Sequence, residues 1–401
     1  MIDISIDSTI FILLLLIAPL LMMPKTNIRR WIFLFVNLLI FLLSFKSFES
    51  LSWAFAFILF PYTYILIYDR IKISVSPYVV LLLAAFIYLK SYTWILGPVI
   101  GYDNIRIIPI IGLSYILFRQ IDVLLQYNAG YIKKIDLVDY LNYLLSFWTL
   151  LAGPIQRYID FQSSFKKVHV EKFDWKRTLK LFHRAANGMI KIVIIAVLLK
   201  KQSDKSFLLL TQGTDSIIPF LCWFYLYPLY VFFNFSGYCD VVIALAGWSG
   251  FDIPENFNRP YLARNMVDFW NRWHITLSQW IRDFVYQPLF KILLTHVFKG
   301  KLYISQYISI SFTFFIVGIW HGTTINFVVF GLLHGVGMFF SIGYKDLLKK
   351  FFGKKHLRKI NQNKYIKLIG IILCMHFVCF TFLFFEYDFE KILLALCLLS
   401  K

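Results

Sequence analysis

The chain has 401 residues, of which 59% are hydrophobic, 19% aromatic and only 16% charged, and its mean hydropathy is +0.68. Soluble globular chains contain about 45–50% apolar and about 25% charged residues, so this composition excludes disorder, collagen-like repeats and a small disulfide-stapled domain. It also argues against a soluble enzyme, because too little polar surface remains to cover the apolar residues. The 41 Lys and Arg outnumber the 22 Asp and Glu, which gives a net charge of +19. In a membrane protein, such an excess is typical of basic cytoplasmic loops.

Apolar runs recur along the whole chain. A spanning helix needs roughly 20 apolar residues, and these runs lack the alternation of barrel strands. The sequence therefore predicts an all-α polytopic membrane protein with roughly 10–12 transmembrane helices. The predicted spans are 8–24, 28–45, 51–68, 77–91, 105–125, 139–153, 187–200, 217–234, 236–250, 303–319, 323–343 and 366–386.

We interpret residues 1–401 as one membrane domain. It comprises N-terminal spans in 1–104, a core in 105–343 with a polar segment at 251–301, and a basic loop and last span in 344–401. The first span follows acidic rather than basic residues, so we expect it to be retained, with the N-terminus outside the cytoplasmic membrane.

Two basic stretches, from Lys166 to Arg184 and from Lys345 to Lys367, are typical of inner loops that attract anionic lipid. Binding of an anionic cytoplasmic donor is the alternative interpretation. Nucleic acid is not an expected partner, because no basic fold with interleaved aromatic residues accompanies the charge. The five cysteines form no CxxC pair, and the sequence predicts no metal site.

The segment 251–301 interrupts the hydrophobic pattern, being too polar to span a membrane and too aromatic for a solvated loop. From Met266 onwards its apolar residues recur at helical spacing, with Asn265 as the predicted N-cap and Asp268 in the first turn. We expect this amphipathic helix to lie at the membrane interface or against the helix bundle. The predicted apolar stripe comprises Met266, Phe269, Trp270, Trp273, Leu277, Trp280, Ile281, Phe284 and Val285. His274 lies at the edge of the stripe, where it is either a packed residue or a functional one.

A second polar exception is His321, which is flanked by Gly318 and Gly322 between two apolar runs. Ionisable residues are expensive at such depth and are retained mainly at functional sites. The unperturbed pKa of His lies near neutrality, which suits a general base. His334 would face away from His321 on one straight helix, so we interpret it as a packing residue.

Other intramembrane charges have structural interpretations. Arg119 and Asp122 are three residues apart, which predicts an ion pair on one helix, with a polar tunnel lining as the alternative. Asp240 is predicted to lie in the first turn of a new span, where an acid suits the helix dipole.

The run DFWNRWHITLSQWIRDFVY, from Asp268 to Tyr286, resembles the signature of bacterial membrane-bound O-acyltransferases. Trp320-His321-Gly322 resembles the histidine motif of that family. Three further runs match the bacterial branch, AGPIQRY, FSGYCD and PENFNRPY. The resemblance extends from about Pro109 to Glu386 and is closer to the alginate O-acetylase-like branch than to the D-alanyl transfer protein of teichoic acid modification.

This resemblance implies a helical funnel that narrows at a buried histidine. It implies that the donor of the acyl group is a cytoplasmic thioester, either acetyl-CoA or an acyl-carrier protein. The acceptor is an exported polysaccharide or a relay acyltransferase, and the closer branch implies that the acyl group is acetyl. D-alanyl transfer to teichoic acid is the alternative, and no bound cofactor is implied. By motif match, His321 and His274 are the catalytic candidates, and Trp320, Arg272 and Asn258 are the substrate-binding candidates. His274, Arg272 and Trp320 are also candidate donors to an oxyanion.

Two other classes of protein remain alternatives. A transporter would use the histidines as proton relays, but it would need two similar halves with interrupted helices, and the sequence has no internal repeat. A scaffold that only anchors partners in an export complex would be indifferent to substitution of His321 and His274.

Overall fold

The computed structural model describes residues 26–68, 70–101, 108, 110–167, 174–213, 217–387 and 389–398. Within these ranges the regular structure is helical throughout, and the all-α prediction is confirmed. The described residues divide into two compact units. The N-terminal unit comprises Ile2–Gly188 and Tyr238–Pro254, and the C-terminal unit comprises Met189–Gly237 and Glu255–Lys401. The interpretation of 1–401 as one domain stays a prediction.

The N-terminal unit contains the first eight described helices and one 3₁₀ turn at Phe147–Thr149. The helices are α1 (Thr26–Leu43), α2 (Phe48–Tyr68), α3 (Ser76–Leu89), α4 (Thr93–Ile100), α5 (Leu113–Asn128), α6 (Leu137–Leu144), α7 (Tyr158–Lys167) and α8 (Trp175–Met189).

The C-terminal unit begins with a π-helical turn at Ile190–Ala196 and contains most of the remaining helices. They are α9 (Val197–Thr211), α10 (Ile217–Trp248), α11 (Met266–Trp270), α12 (Ile275–Ile281), α13 (Gln287–Ile292), α14 (Leu302–His321), α15 (Ile325–Gln362), α16 (Lys364–Glu386) and α17 (Phe389–Leu398). Its further turns are a 3₁₀ turn at Pro260–Leu262 and π-helical turns at Arg282–Tyr286 and Leu293–Val297. Helix α10 begins in this unit and continues into the N-terminal unit.

Six helical segments among the described residues are long and apolar enough to cross a membrane. They are Phe48–Tyr68, Trp175–Thr211, Ile217–Trp248, Leu302–His321, Ile325–Lys355 and Lys364–Glu386. The predicted first span, 8–24, lies outside the described residues, as does part of 105–125. The prediction of a span over 139–153 is wrong, because this stretch contains only the end of α6 and a 3₁₀ turn before an irregular loop.

The two predicted spans 217–234 and 236–250 form a single helix, α10, of 32 residues. Asp240 therefore lies well inside a helix, and its predicted position in a first turn is wrong. Both Nε and Nη2 of Arg184 lie 3.0 Å from Asp240 Oδ1. Because this ion pair compensates the carboxylate, the helix can continue through the polar position.

Arg119 stabilises the loop that replaces the predicted span 139–153. Arg119 is 1% exposed, and its guanidinium donates to the carbonyl oxygens of Tyr143, Leu144 and Thr149, at 3.1, 2.6 and 3.1 Å. It also donates to the Thr149 hydroxyl. Tyr143 and Leu144 end α6, and Thr149 ends the 3₁₀ turn, so the arginine satisfies terminal carbonyl acceptors that the helix ladder leaves unpaired.

The predicted ion pair between Arg119 and Asp122 is wrong. Asp122 is fully buried and pairs instead with Arg157, whose Nη1 lies 3.0 Å from Oδ1. The backbone N–H of Tyr158 donates to Oδ2 of Asp122 at 2.8 Å. Since Arg157 and Tyr158 belong to the AGPIQRY run, this carboxylate fixes the beginning of α7 against α5.

Helices α14, α15 and α16 place His321 within the C-terminal unit. Gly318 and Gly331 allow α14 and α15 to approach closely, because a Cβ atom on Gly331 would lie 2.8 Å from Gly318 Cα. Asn326 Nδ2, in the first turn of α15, donates to the carbonyl of Tyr387 at 2.7 Å, just beyond the end of α16. The His321 end of α14 therefore lies beside the C-terminal end of α16, and most of the basic stretch lies in the C-terminal half of α15.

We expect Gly331→Ala to lower the free energy of unfolding by about 1–3 kcal/mol, because the new methyl group would overlap the backbone of α14. Thermal unfolding of the purified protein in detergent measures the change. Gly343→Ala is the matched control, since its Cβ would meet only the Tyr307 hydroxyl at 3.4 Å. An unchanged melting temperature for Gly331→Ala would contradict the close approach of the two helices.

We expect Arg119→Met to lower the free energy of unfolding by about 3 kcal/mol or more, because it leaves buried carbonyl groups without a donor. Arg282→Met is the control, since Arg282 is exposed and forms an ion pair with its neighbour Asp283. Equal melting temperatures of the two variants would show that Arg119 does not hold the loop.

Candidate active site

The polar segment 251–301 contains a break that its periodicity does not reveal. The predicted N-cap is confirmed, because Asn265 Oδ1 accepts from the backbone N–H of Asp268 at 2.9 Å. The prediction of one continuous helix from Met266 is wrong: α11 ends at Trp270, and α12 begins at Ile275. The first seven residues of the predicted apolar stripe are buried, and Phe284 and Val285 are half-buried. The turn between α11 and α12 therefore preserves the buried face while redirecting the chain.

Backbone pairing with the PENFNRPY run explains the break. The N–H of Ile275 donates to the Asn256 carbonyl at 3.0 Å, and the N–H of Asn258 donates to the Arg272 carbonyl at 2.9 Å. These bonds replace helical bonds that a continuous helix would make across 271–275. His274 has φ 42° and ψ 52°, a left-handed conformation that is uncommon for any residue except glycine. Such strain persists only where surrounding contacts hold it, and it is concentrated at functional sites.

His274 is 4% exposed and lies in a mostly aromatic environment. Its Nδ1 is 3.2 Å from Asn256 Oδ1, and its ring is 4.9 Å from that of Phe235 in an edge-on arrangement. Burial lowers the pKa of His274 to about 3, because the charged imidazolium loses its hydration. The imidazole is therefore neutral at physiological pH.

His321 is the last residue of α14 and is half-buried. Its ring contacts those of Phe385 at 4.9 Å and Phe330 at 5.6 Å, both edge-on. It also contacts the rings of Trp320, at 4.6 Å, and Phe327. Gly322 has no room for a side chain, because a Cβ there would overlap the Phe327 ring. The glycine therefore permits an aromatic enclosure around one face of His321.

Trp320 is the ring that both catalytic candidates contact. Its centroid lies 4.6 Å from that of His321 and 6.5 Å from that of His274. The fold thus brings together residues that are 47 positions apart in the sequence. The contacts of His274 do not include a hydrogen bond to His321, so the two imidazoles are neighbours through the indole rather than a hydrogen-bonded pair.

Arg272 and Asn258 lie beside this group. Arg272 Nε donates to Asp268 Oδ1 at 2.7 Å, and Nη1 donates to the Asn258 carbonyl at 3.3 Å. These contacts give Arg272 a structural role in holding the turn. Asn258 is exposed, whereas Asn256 is 1% exposed and contacts His274. The sequence did not identify Asn256. In an extended segment, residues two apart lie on the same side, so the sequence does not show which of the two asparagines contacts His274.

His334 is fully buried, as expected of a packing residue. Its Nε2 lies 2.9 Å from the hydroxyl oxygen of Thr381, and its ring is 4.4 Å from that of Phe330. His321 and His334 lie on different helices, because α14 ends at His321 and His334 lies in α15. Both histidine rings contact the ring of Phe330, but their other neighbours differ.

In the described parts of the chain, no three His, Cys, Asp or Glu side chains are grouped closely enough to hold a metal ion.

The site lies in a region that is similar to known proteins. The model of the family described as MBOAT, membrane-bound O-acyltransferase family, matches residues 50–384. The chain is 30% identical over 290 residues to "Teichoic acid D-alanyltransferase" of Streptococcus thermophilus. This match covers 69% of this chain and 68% of the relative. It is 27% identical over 299 residues to the protein of the same description in Bacillus subtilis, covering 74% and 73%.

A second group of relatives has a different description. The chain is 34% identical over 230 residues to "Probable alginate O-acetylase AlgI" of Pseudomonas fluorescens, which covers 56% of this chain. The same match covers only 43% of that relative, so this chain spans less than half the length of the protein to which it is similar.

We expect His334→Ala to lower the free energy of unfolding by about 2–4 kcal/mol, because it leaves a cavity among packed rings and removes one of the hydrogen bonds of the Thr381 hydroxyl. His296→Ala is the control, since His296 is exposed near the end of the polar segment. Detergent melting curves of both variants measure the difference. Identical curves would show that His334 is not a packing residue.

Proposed function

Because the chain belongs to the membrane-bound O-acyltransferase family, and is a multi-pass membrane enzyme of that class, we propose that it acylates hydroxyl groups of an exported cell-envelope polymer. The donor is a cytoplasmic thioester, either acetyl-CoA or an acyl-carrier protein. The observation that carries this proposal is the enclosure of His321 at the end of α14, within the matched region, next to Trp320 and Gly322.

In this proposal, His321 is the general base. A hydroxyl group is a poor nucleophile at neutral pH, so a positioned imidazole takes its proton while the oxygen attacks the thioester carbonyl. The carbon–sulfur bond then breaks, and the leaving thiolate takes the proton from the imidazolium. The products are an ester and a free thiol, and the histidine returns to its neutral form. The surrounding rings of Phe385 and Phe330 limit access of water, which would otherwise compete with the acceptor hydroxyl.

The positions of the charged residues support acceptor entry from outside. The basic residues of 345–359 lie in the C-terminal half of α15, whereas His321 lies next to the beginning of this helix. Basic segments remain on the cytoplasmic side, so this arrangement favours an outer location for the His321 end. We propose a cytoplasmic membrane location, an external N-terminus, and attraction of the basic segments to anionic lipid. The acceptor is the polymer itself or a relay acyltransferase.

The proposal has two forms, which differ in the acyl group that is transferred. The FSGYCD and PENFNRPY runs support acetyl transfer to a polysaccharide, the activity of the alginate O-acetylase-like branch. The extent of similarity to the D-alanyltransferases supports D-alanyl transfer to teichoic acid as the second form, because those matches cover about two thirds or more of both chains.

We expect His321→Ala to reduce acyl transfer at least about 100-fold, because general-base catalysis contributes about 10²–10⁴-fold. Mass spectrometry of surface polymer from cells that carry each variant measures ester content, and the mass of the added group separates acetyl from D-alanyl. His296→Ala is the matched control for expression and insertion.

Normal ester content with folded His321→Ala protein would contradict the catalytic assignment. Ester content that is the same in cells with and without the wild-type chain would contradict the proposed activity itself. Loss of assembly of an export complex, with no dependence on His321 or His274, would instead identify a scaffold.

A further inference from the structure

One side-chain oxygen organises the turn that contains His274. Asn256 Oδ1 lies 3.2 Å from the backbone nitrogen of Thr276, 2.9 Å from the Thr276 hydroxyl and 3.2 Å from Nδ1 of His274. All three residues are at most 4% exposed. The same asparagine accepts the N–H of Ile275 through its backbone carbonyl. Both acceptors of one residue therefore hold the first turn of α12.

These contacts determine which nitrogen of His274 carries a proton. A backbone N–H can only donate, so the Asn256 atom that faces Thr276 must be the amide oxygen. An amide oxygen can only accept, so the hydrogen bond to His274 requires a proton on Nδ1. In a neutral imidazole, the other nitrogen is then an acceptor. Nε2 of His274 therefore carries a lone pair.

We propose that Asn256 is a positioning residue that holds His274 in its Nδ1–H tautomer, so that Nε2 accepts a hydrogen bond from an O–H or N–H group of the bound substrate. The substrate part of this inference rests on the proposed acyltransferase function. The tautomer part rests only on the contacts of Asn256.

This arrangement changes the role that the sequence suggests for His274. A donor to an oxyanion needs a hydrogen on the nitrogen that faces the substrate. His274 has its one proton committed to Asn256, and burial keeps the ring neutral by lowering its pKa. His274 therefore orients a substrate donor group, while His321 accepts the proton of the reacting hydroxyl.

Burial, rather than a neighbouring charge, determines the protonation state of the His274 ring. Asn256 and Thr276 face it from the turn, Phe235 from α10 and Trp320 from α14. Each of these side chains is uncharged. A carboxylate introduced at position 256 would thus be a new charge next to the ring and would stabilise the imidazolium.

The first experiment determines the tautomer of His274 and requires no measurement of activity. Solid-state nitrogen NMR of the full chain, labelled at histidine and reconstituted in lipid bilayers, distinguishes protonated from unprotonated ring nitrogens. His274→Gln identifies the resonances of His274 by their loss. We expect a protonated Nδ1 and an unprotonated Nε2 in the wild-type protein. A protonated Nε2 with a bare Nδ1 would overturn the proposal, whether or not the chain is an acyltransferase.

The second experiment compares the pH dependence of acyl transfer in three variants. Asn256→Asp keeps an acceptor for Nδ1 but raises the pKa of His274, so its activity should fall at lower pH, as Nε2 becomes protonated, and recover towards the wild-type rate at higher pH. Asn256→Ala should lower the rate of acyl transfer at least about tenfold at every pH, because correct orientation of the substrate contributes about that much or more. Asn271→Ala, an exposed asparagine at the end of α11, is the control and should match the wild type.

Two outcomes would overturn the positioning role. One is an Asn256→Asp profile that superimposes on the wild type, and the other is an Asn256→Ala rate equal to that of Asn271→Ala. Absence of transfer by the wild-type chain would instead reject the proposed function, while the NMR result would still decide the tautomer.

Discussion

A polar group removed from water must find its partner within the protein, and this constraint explains most of the unusual features of the chain. Because 59% of the residues are hydrophobic, most side chains have no polar group that needs a partner. Three charged side chains removed from water are each compensated by specific neighbours. Arg119 donates to loop carbonyls, Asp122 pairs with Arg157, and Asp240 pairs with Arg184. Because an unpaired buried charge costs several kcal/mol, on the order of the whole stability of a domain, these partners fix the loops and helices that supply them.

The same constraint shapes the candidate active site. The turn at 271–274 breaks a helix that its apolar pattern favours, and the lost helical bonds are replaced by backbone bonds to the segment of Asn256 and Asn258. The break places His274 in a strained conformation and gives its Nδ1 a fixed partner. A continuous helix would have left this imidazole on the edge of a stripe, with no means of setting its tautomer.

The two histidines differ in a way that suits two different tasks. His274 is almost fully buried and neutral, whereas His321 is half-buried at a helix end within an aromatic enclosure. A buried imidazole with a low pKa is a poor base but a well-defined hydrogen-bond acceptor, and a more accessible one can exchange protons. Trp320 contacts both rings, so a substrate held against this indole would meet both groups.

The sequence by itself determined the all-α membrane class, the cap at Asn265, the buried stripe and the two exceptional histidines. These features follow from local periodicity and from the cost of polar groups in apolar surroundings, both of which act within a few residues. Tertiary structure decided that 139–153 is not a single spanning helix, that α10 is continuous, that Arg119 and Asp122 have separate partners, and that Asn256 rather than Asn258 contacts His274. In each case, the deciding partner lies far away in the sequence. Periodicity shows that a polar residue needs a partner, but only the fold determines which distant group supplies it.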